Sequence, residues 1–124
     1  MTHAPEQHGL LFTDDLMWAS RVTGTAQALS FVVRSARTLE RLEALARERA
    51  PHCVIIDLAA GADVARRIVE RLRAVCPEAR FTAFGSHVDT ATLQAARAAG
   101  CDPVLPRSRF AEELPVLLQE WLGG

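Results

Sequence analysis

The chain has 124 residues, 49% of them hydrophobic, with a formal net charge of −1 and a pI near 6.4. That is one domain's length with material for a core; it excludes a disordered chain, and it supplies no global basic field to draw in nucleic acid or an anionic membrane. All 14 basic residues are arginine, so no lysine can form a Schiff base or release a proton as a general base.

Residues 1–8 (MTHAPEQH) read as a short, polar, flexible tail, with residues 9–124 as a single domain. His3 and His8 in that tail are expected to be solvated rather than metal-binding. Residues 9–13 (GLLFT) form an apolar run ending at Asp14 and Asp15, the pattern of a strand buried on both faces. A helix follows over 17–29, with Trp18, Val22, Ala26 and Leu29 on one side and Gly24 weakening it. Residues 30–35 (SFVVRS) are short and β-branched, a second strand. Thr38 is placed to cap a helix whose stripe is Leu39, Leu42, Leu45 and Ala46, and Pro51 stops it.

The clearest strand is CVIIDL (53–58), continuous and too short for a helix, with Asp57 as its one polar residue. Gly61 breaks the run, Asp63 can cap the next helix, and Val64, Ile68, Leu72 and Val75 turn inward before Pro77. Residues 80–84 (RFTAF) make a fourth strand. Asp89 or Thr90 caps a helix through Leu93, Ala96 and Ala99, with Gly100 at the position where a left-handed residue closes a helix. The two prolines of PVLP (103–106) suit only an edge strand. A last helix carries Leu117, Leu118 and Trp121, and Pro115 must lie in its first turn or kink it. Five strands alternating with five helices predict a parallel sheet covered on both faces.

Cys53, Cys76 and Cys101 are odd in number and lack a C-x-x-C spacing, so free thiols in a reducing cytoplasm are expected. The polar start, with Pro5, does not read as a signal peptide, and no apolar run approaches the roughly 20 residues of a membrane helix.

Ligands of an open parallel sheet sit outside the C-terminal strand ends. There this chain sets Asp14 and Asp15, Asp57, Gly85 and Ser86, and Arg107. Three carboxylates repel unless a cation or protons compensate, and such hard oxygens suit Mg²⁺. A carboxylate beside that ion can attack phosphorus, and Asp57, alone at the end of the central strand, is the candidate nucleophile; Asp14 and Asp15 are the candidate metal ligands.

Together LLFTDDL, CVIIDL, AARAAGCDPVL and PRSRF resemble the receiver domains of bacterial response regulators over residues 10–122. The resemblance implies a flavodoxin-like (CheY-like) three-layer α/β/α sandwich, strand order 2-1-3-4-5, and a two-component phosphorelay role. In it Asp57 takes the place of the phosphoacceptor. Asp14, Asp15, Asp57 and the backbone carbonyl of Ala59 would hold Mg²⁺. Ser86 or Gly85 falls at a hydroxyl position, and Arg107 at a lysine position. The implied partners are a histidine kinase or phosphotransfer protein and a downstream protein, with a homodimer left open; nucleic acid and membrane are not expected.

This chain departs from that pattern at Gly85, at Arg107 with Ser108 after it, at the short AAGAD loop, and at Val104, where the family has an aromatic. A pseudo-receiver, a protein-interaction or dimerisation module independent of phosphorylation, is therefore the alternative. A small metal-dependent phosphohydrolase ranks last, since Asp57-Leu58-Ala59 lacks a second Asp and nucleotide-binding, nucleophile-elbow and H-E-x-x-H motifs are absent. No enzymatic turnover is expected. Asp14 and Asp15 could merely cap a helix, His52 lies at the opposite end of the sheet, and His87 is most simply a solvated loop residue.

Overall fold

A strand that is apolar at every position but its last can bury both faces only in the middle of a sheet. β3 (Cys53–Asp57) lies there, between β1 (His8–Phe12) and β4 (Arg80–Gly85), with β2 (Val32–Ala36) and β5 (Val104–Pro106) at the edges. All pairings are parallel and the order is β2-β1-β3-β4-β5. The helices between them are α1 (Leu16–Ala28), α2 (Leu39–Glu48), α3 (Val64–Leu72), α4 (Thr90–Ala99) and α5 (Arg107–Leu122). This computed structural model describes residues 8–123.

The strand pleat divides the core in two. Leu11, Cys53, Ile55 and Phe84 face one side, under Val22 and Ala26 of α1 and Phe110, Leu114, Leu118 and Leu122 of α5. Leu10, Phe12, Val54, Ile56 and Phe81 face the other, under the stripes of α2, α3 and α4. The result is the three-layer α/β/α sandwich with the expected strand order. His52 works at the N-terminal edge of the sheet. Its N–H donates to the His8 carbonyl, its carbonyl accepts from Arg80, and its Nδ1 accepts from the His8 N–H at 3.4 Å. His8 therefore belongs to β1 and is buried, not part of a tail; residues 1–7, including His3, lie outside the described residues. No helix among the described residues is long and apolar enough to cross a membrane.

Pro115 departs from expectation. It sits about two turns inside α5, which remains helical through it. Proline has no N–H, so the Ala111 carbonyl one turn earlier loses its partner. Arg21 of α1 supplies the substitute, its Nη2 donating to that oxygen at 3.2 Å while its guanidinium lies 5.8 Å from the Trp18 ring centre. On the opposite face Glu43 of α2 accepts from Arg71 of α3 at 2.8 Å and from two nitrogens of Arg47 at 2.8 and 3.0 Å.

Two predictions follow from these inter-helix contacts. Pro115→Ala should raise stability to urea by about 1–2 kcal/mol, the restored helix bond outweighing the lost stiffness of the unfolded chain. In that background Arg21→Ala should cost less than in the native chain; equal costs would mean the guanidinium is not the substitute donor. Hydrogen bonds from Arg71 first, then Arg47, hold the Glu43 carboxyl below its ordinary range. A lowered carboxyl pKa stabilises the fold above the unfolded value, and that contribution is lost as pH falls through the folded one. The stability gap between the native chain and Glu43→Gln should therefore narrow as pH falls below the ordinary carboxylate range in pH-dependent melts.

Candidate functional site

β1 and β3 pair with Phe12 opposite Ile56, so the next step along both strands sets Thr13 against Asp57. Thr13 completes the sheet on its other side, its N–H donating to the Ala36 carbonyl at 3.0 Å. Its hydroxyl donates to Asp57 Oδ2 at 2.7 Å. The second carboxylate oxygen, Oδ1, accepts from the Ala59 N–H at 3.0 Å, closing the single 3₁₀ turn at Leu58–Ala60. Asp57 is 3% exposed, so both bonds are needed: a buried carboxylate oxygen without a donor is costly.

The acidic pair expected to face Asp57 arrives one residue too late. The residue that completes the strand is Thr13, and the turn into α1 then uses Asp15 as its N-cap, with Oδ1 accepting from Met17 N at 2.8 Å and Trp18 N at 3.3 Å. Asp14 and Asp15 are both exposed. The Asp15 N–H turns back to donate to the Thr13 hydroxyl at 3.1 Å. Among the described residues no three His, Cys, Asp or Glu side chains are grouped so as to hold a metal ion. A cation held by the trio Asp14, Asp15 and Asp57 does not fit these positions. One carboxylate is buried and hydrogen-bonded on both oxygens, one caps a helix, and one is solvent-exposed.

The choice between Gly85 and Ser86 is made by strand register. Asp57 pairs with Phe84, so Gly85, the last residue of β4, stands one step beyond, at the hydroxyl position of the resemblance. A Cβ there would lie 3.1 Å from Leu58 Cβ and 3.2 Å from Leu58 Cδ1. The buried Leu58 side chain thus rests where a residue larger than glycine would project. Ser86 follows in the loop, half-buried, and Arg107 is the exposed first residue of α5. Both line a cavity of about 150 Å³ with Ala59, Asp89 and Thr92. Asp89 is occupied as the N-cap of α4, accepting from Thr92 N and Oγ1. His87 is an exposed loop residue.

Sequence reasoning missed Thr13 and Leu58, and it missed the aromatic stack beside the site. Phe84, the register partner of Asp57, stacks on Phe110 at 4.1 Å and 2°, and Trp18 meets both rings at 4.9 and 5.5 Å. The signal for Thr13 lay in GLLFT itself, since one further step of the strand carries its last residue into the sheet.

Gly85→Ala is expected to cost about 1–3 kcal/mol in chemical denaturation, because Leu58 Cβ is fixed to the backbone and cannot rotate away. Leu58→Ala in the same chain should cost less than it does alone. Strict additivity of the two costs would refute the Cδ1 part of the contact, since alanine keeps the Cβ.

No family model matches the sequence, and no curated protein matches it. Solved structures match its shape. A response regulator from Thermotoga maritima superposes with a TM-score of 0.81 at 13% identity, over 96% of this chain and 99% of that one. The CheY-like protein tadZ from Pseudomonas aeruginosa gives 0.74 at 23% identity, over 94% and 99%. A response regulator protein from Burkholderia pseudomallei, which contains a phosphorylated aspartic acid and a calcium ion, gives 0.76 at 21% identity, over 94% of this chain and 66% of that one. Together with the strand order and the position of Asp57, these matches show that this chain has the fold of the response-regulator receiver domains, the CheY-like fold.

Proposed function

We propose that this chain is a receiver-fold signalling module that acts by contact with other proteins and does not depend on phosphoryl transfer to Asp57. The observation that carries the reading is the engagement of both Asp57 oxygens, by the Thr13 hydroxyl and the Ala59 N–H. Transfer would form a bond from a carboxylate oxygen to phosphorus and break the donor's bond to that phosphorus. The attacking oxygen must be open to the incoming phosphorus, and cations and hydrogen-bond donors must take up the charge on the phosphoryl oxygens. Here each oxygen already accepts a hydrogen bond and the carboxylate is 3% exposed, which leaves little of it open to a donor, and Gly85 offers no side-chain hydroxyl. No turnover is part of this role, and a reducing cytoplasm suits its three buried free thiols, with burial pushing Cys53 up to about 12 and Cys101 to about 11.

A second reading keeps Asp57 as phosphoacceptor for a histidine kinase or phosphotransfer protein, with the Mg²⁺ ligands that the resemblance implies, Asp14, Asp15, Asp57 and the Ala59 carbonyl, brought together by side-chain movement. Two observations favour it: the place of Asp57 at the C-terminal end of the central strand, and Arg107 on the rim of the adjoining cavity.

Intact-mass spectrometry after incubation with a small acyl phosphate and Mg²⁺ separates the two. The first reading expects no phosphoryl adduct, and an unchanged set of captured partners for Asp57→Asn. Asparagine preserves the fold, because its amide can donate to a rotated Thr13 hydroxyl while its carbonyl accepts from Ala59. A near-stoichiometric adduct on Asp57, or loss of partners in Asp57→Asn, would overturn it.

A further inference from the structure

We infer that this pocket lacks the second anionic oxygen a divalent cation needs because position 13 is a threonine, and that one substitution, Thr13→Asp, opens a cation site there. The inference deepens the reading above, since it concerns the same aspartate, but it stands on a separate geometry.

Thr13 and Asp57 are neighbours across adjacent parallel strands, about 4.8 Å apart along the hydrogen-bonding direction. They follow Leu11 and Ile55 in the strand alternation and so project to the same face of the sheet. Position 13, just past the end of β1, therefore places a side chain directly against the Asp57 carboxylate, and the residue there is neutral. Its hydroxyl proton is directed at Oδ2 over 2.7 Å, so an oxygen that could face a cation accepts a proton donor instead. The hydroxyl oxygen in turn accepts from the Asp15 N–H. The pocket holds one negative charge where a small divalent ion needs at least a second anionic oxygen to offset its dehydration.

The other two acids do not supply that oxygen. Asp15 is spent on the first turn of α1, and Asp14 is exposed to solvent rather than buried beside Asp57. The disagreement with the expected acidic trio thus reduces to a single residue. A carboxylate at 13 would set two like charges side by side, an arrangement that is unfavourable until a cation joins them. Thr13→Asp should consequently be less stable than the native chain without Mg²⁺ and should recover with it, by the ordinary linkage of ligand binding to folding.

The test is a pair of measurements on the whole chain, Trp18 fluorescence and thermal unfolding, each titrated with MgCl₂ against a monovalent salt of matched ionic strength. Trp18 is a suitable reporter because its N–H is bonded to Asp15 and its ring meets Phe84, the register partner of Asp57. The native chain should show no saturable Mg²⁺ response. Thr13→Asp should show one, with a melting midpoint that climbs with the ion. Thr13→Ala removes the hydroxyl without adding a charge and should remain as indifferent as the native chain, which keeps the inference testable if Thr13→Asp does not fold. A saturable response from the native chain or from Thr13→Ala, or a folded Thr13→Asp that ignores the ion, would overturn it. Cation binding by a native chain that still takes no phosphoryl group would sink this inference alone. An adduct on Asp57 would sink the reading above instead.

Discussion

A carboxylate at the end of a central strand can be buried only if both of its oxygens find donors. Asp57 meets that requirement with one local donor and one distant one. The Ala59 N–H comes from the turn that follows, and the Thr13 hydroxyl from a strand 44 positions away. The distant bond has the wider consequence. It fastens the C-terminal ends of β1 and β3 to each other, and through the Asp15 N–H it also sets where α1 begins. The first turn of that helix presents Leu16 and Met17 to solvent, both largely exposed, close to the end of the sheet that holds Asp57.

The neighbouring face is built from aromatic contacts. Phe84 carries the line from Asp57 into the α1 and α5 layer, where it stacks flat on Phe110 and meets Trp18. Phe110 lies in turn 6.3 Å from Trp121. Trp18 is thereby tied to the site along two routes, its own backbone bond to Asp15 and its ring contact with Phe84. The Arg21 bond to Ala111 adds a polar link between the same two helices at the carbonyl that Pro115 leaves without a helical partner. A shift in the position of Asp57 would therefore be felt first in α1 and α5.

On the opposite face Leu58 has the corresponding place. Its side chain is buried in the α2–α3–α4 layer and rests against Gly85, so the end of β4 carries no side chain toward the pocket. Arg107 stays at the surface, and the cavity between them is small, with mostly short residues in its lining. An aspartate enclosed in this way behaves as part of the fold. That is the physical ground for the proposal that this chain acts through its surfaces rather than through a covalent change at residue 57.

The sequence by itself determined the layered architecture and the site's location. Alternating apolar runs and helical stripes made five strands and five helices, and the burial of Leu39, Leu42, Leu45 and Ala46 or of Val64, Ile68 and Leu72 follows directly from their spacing. Gly100 closes α4 in the left-handed region, at φ 110°, as its position implied. The place of Asp57 at the C-terminal rim was equally legible. Which residues meet there was decided by tertiary structure. Periodicity reports which face of an element is apolar, but the register between strands far apart in the chain is set by how whole layers pack. One step of register separates Thr13 from Asp14, where it replaced the expected carboxylate with a neutral hydroxyl, and Gly85 from Ser86, two candidates that the sequence left open. Proline chemistry says that Pro115 must leave a carbonyl unpaired; only the packing of α1 against α5 brings Arg21 to it.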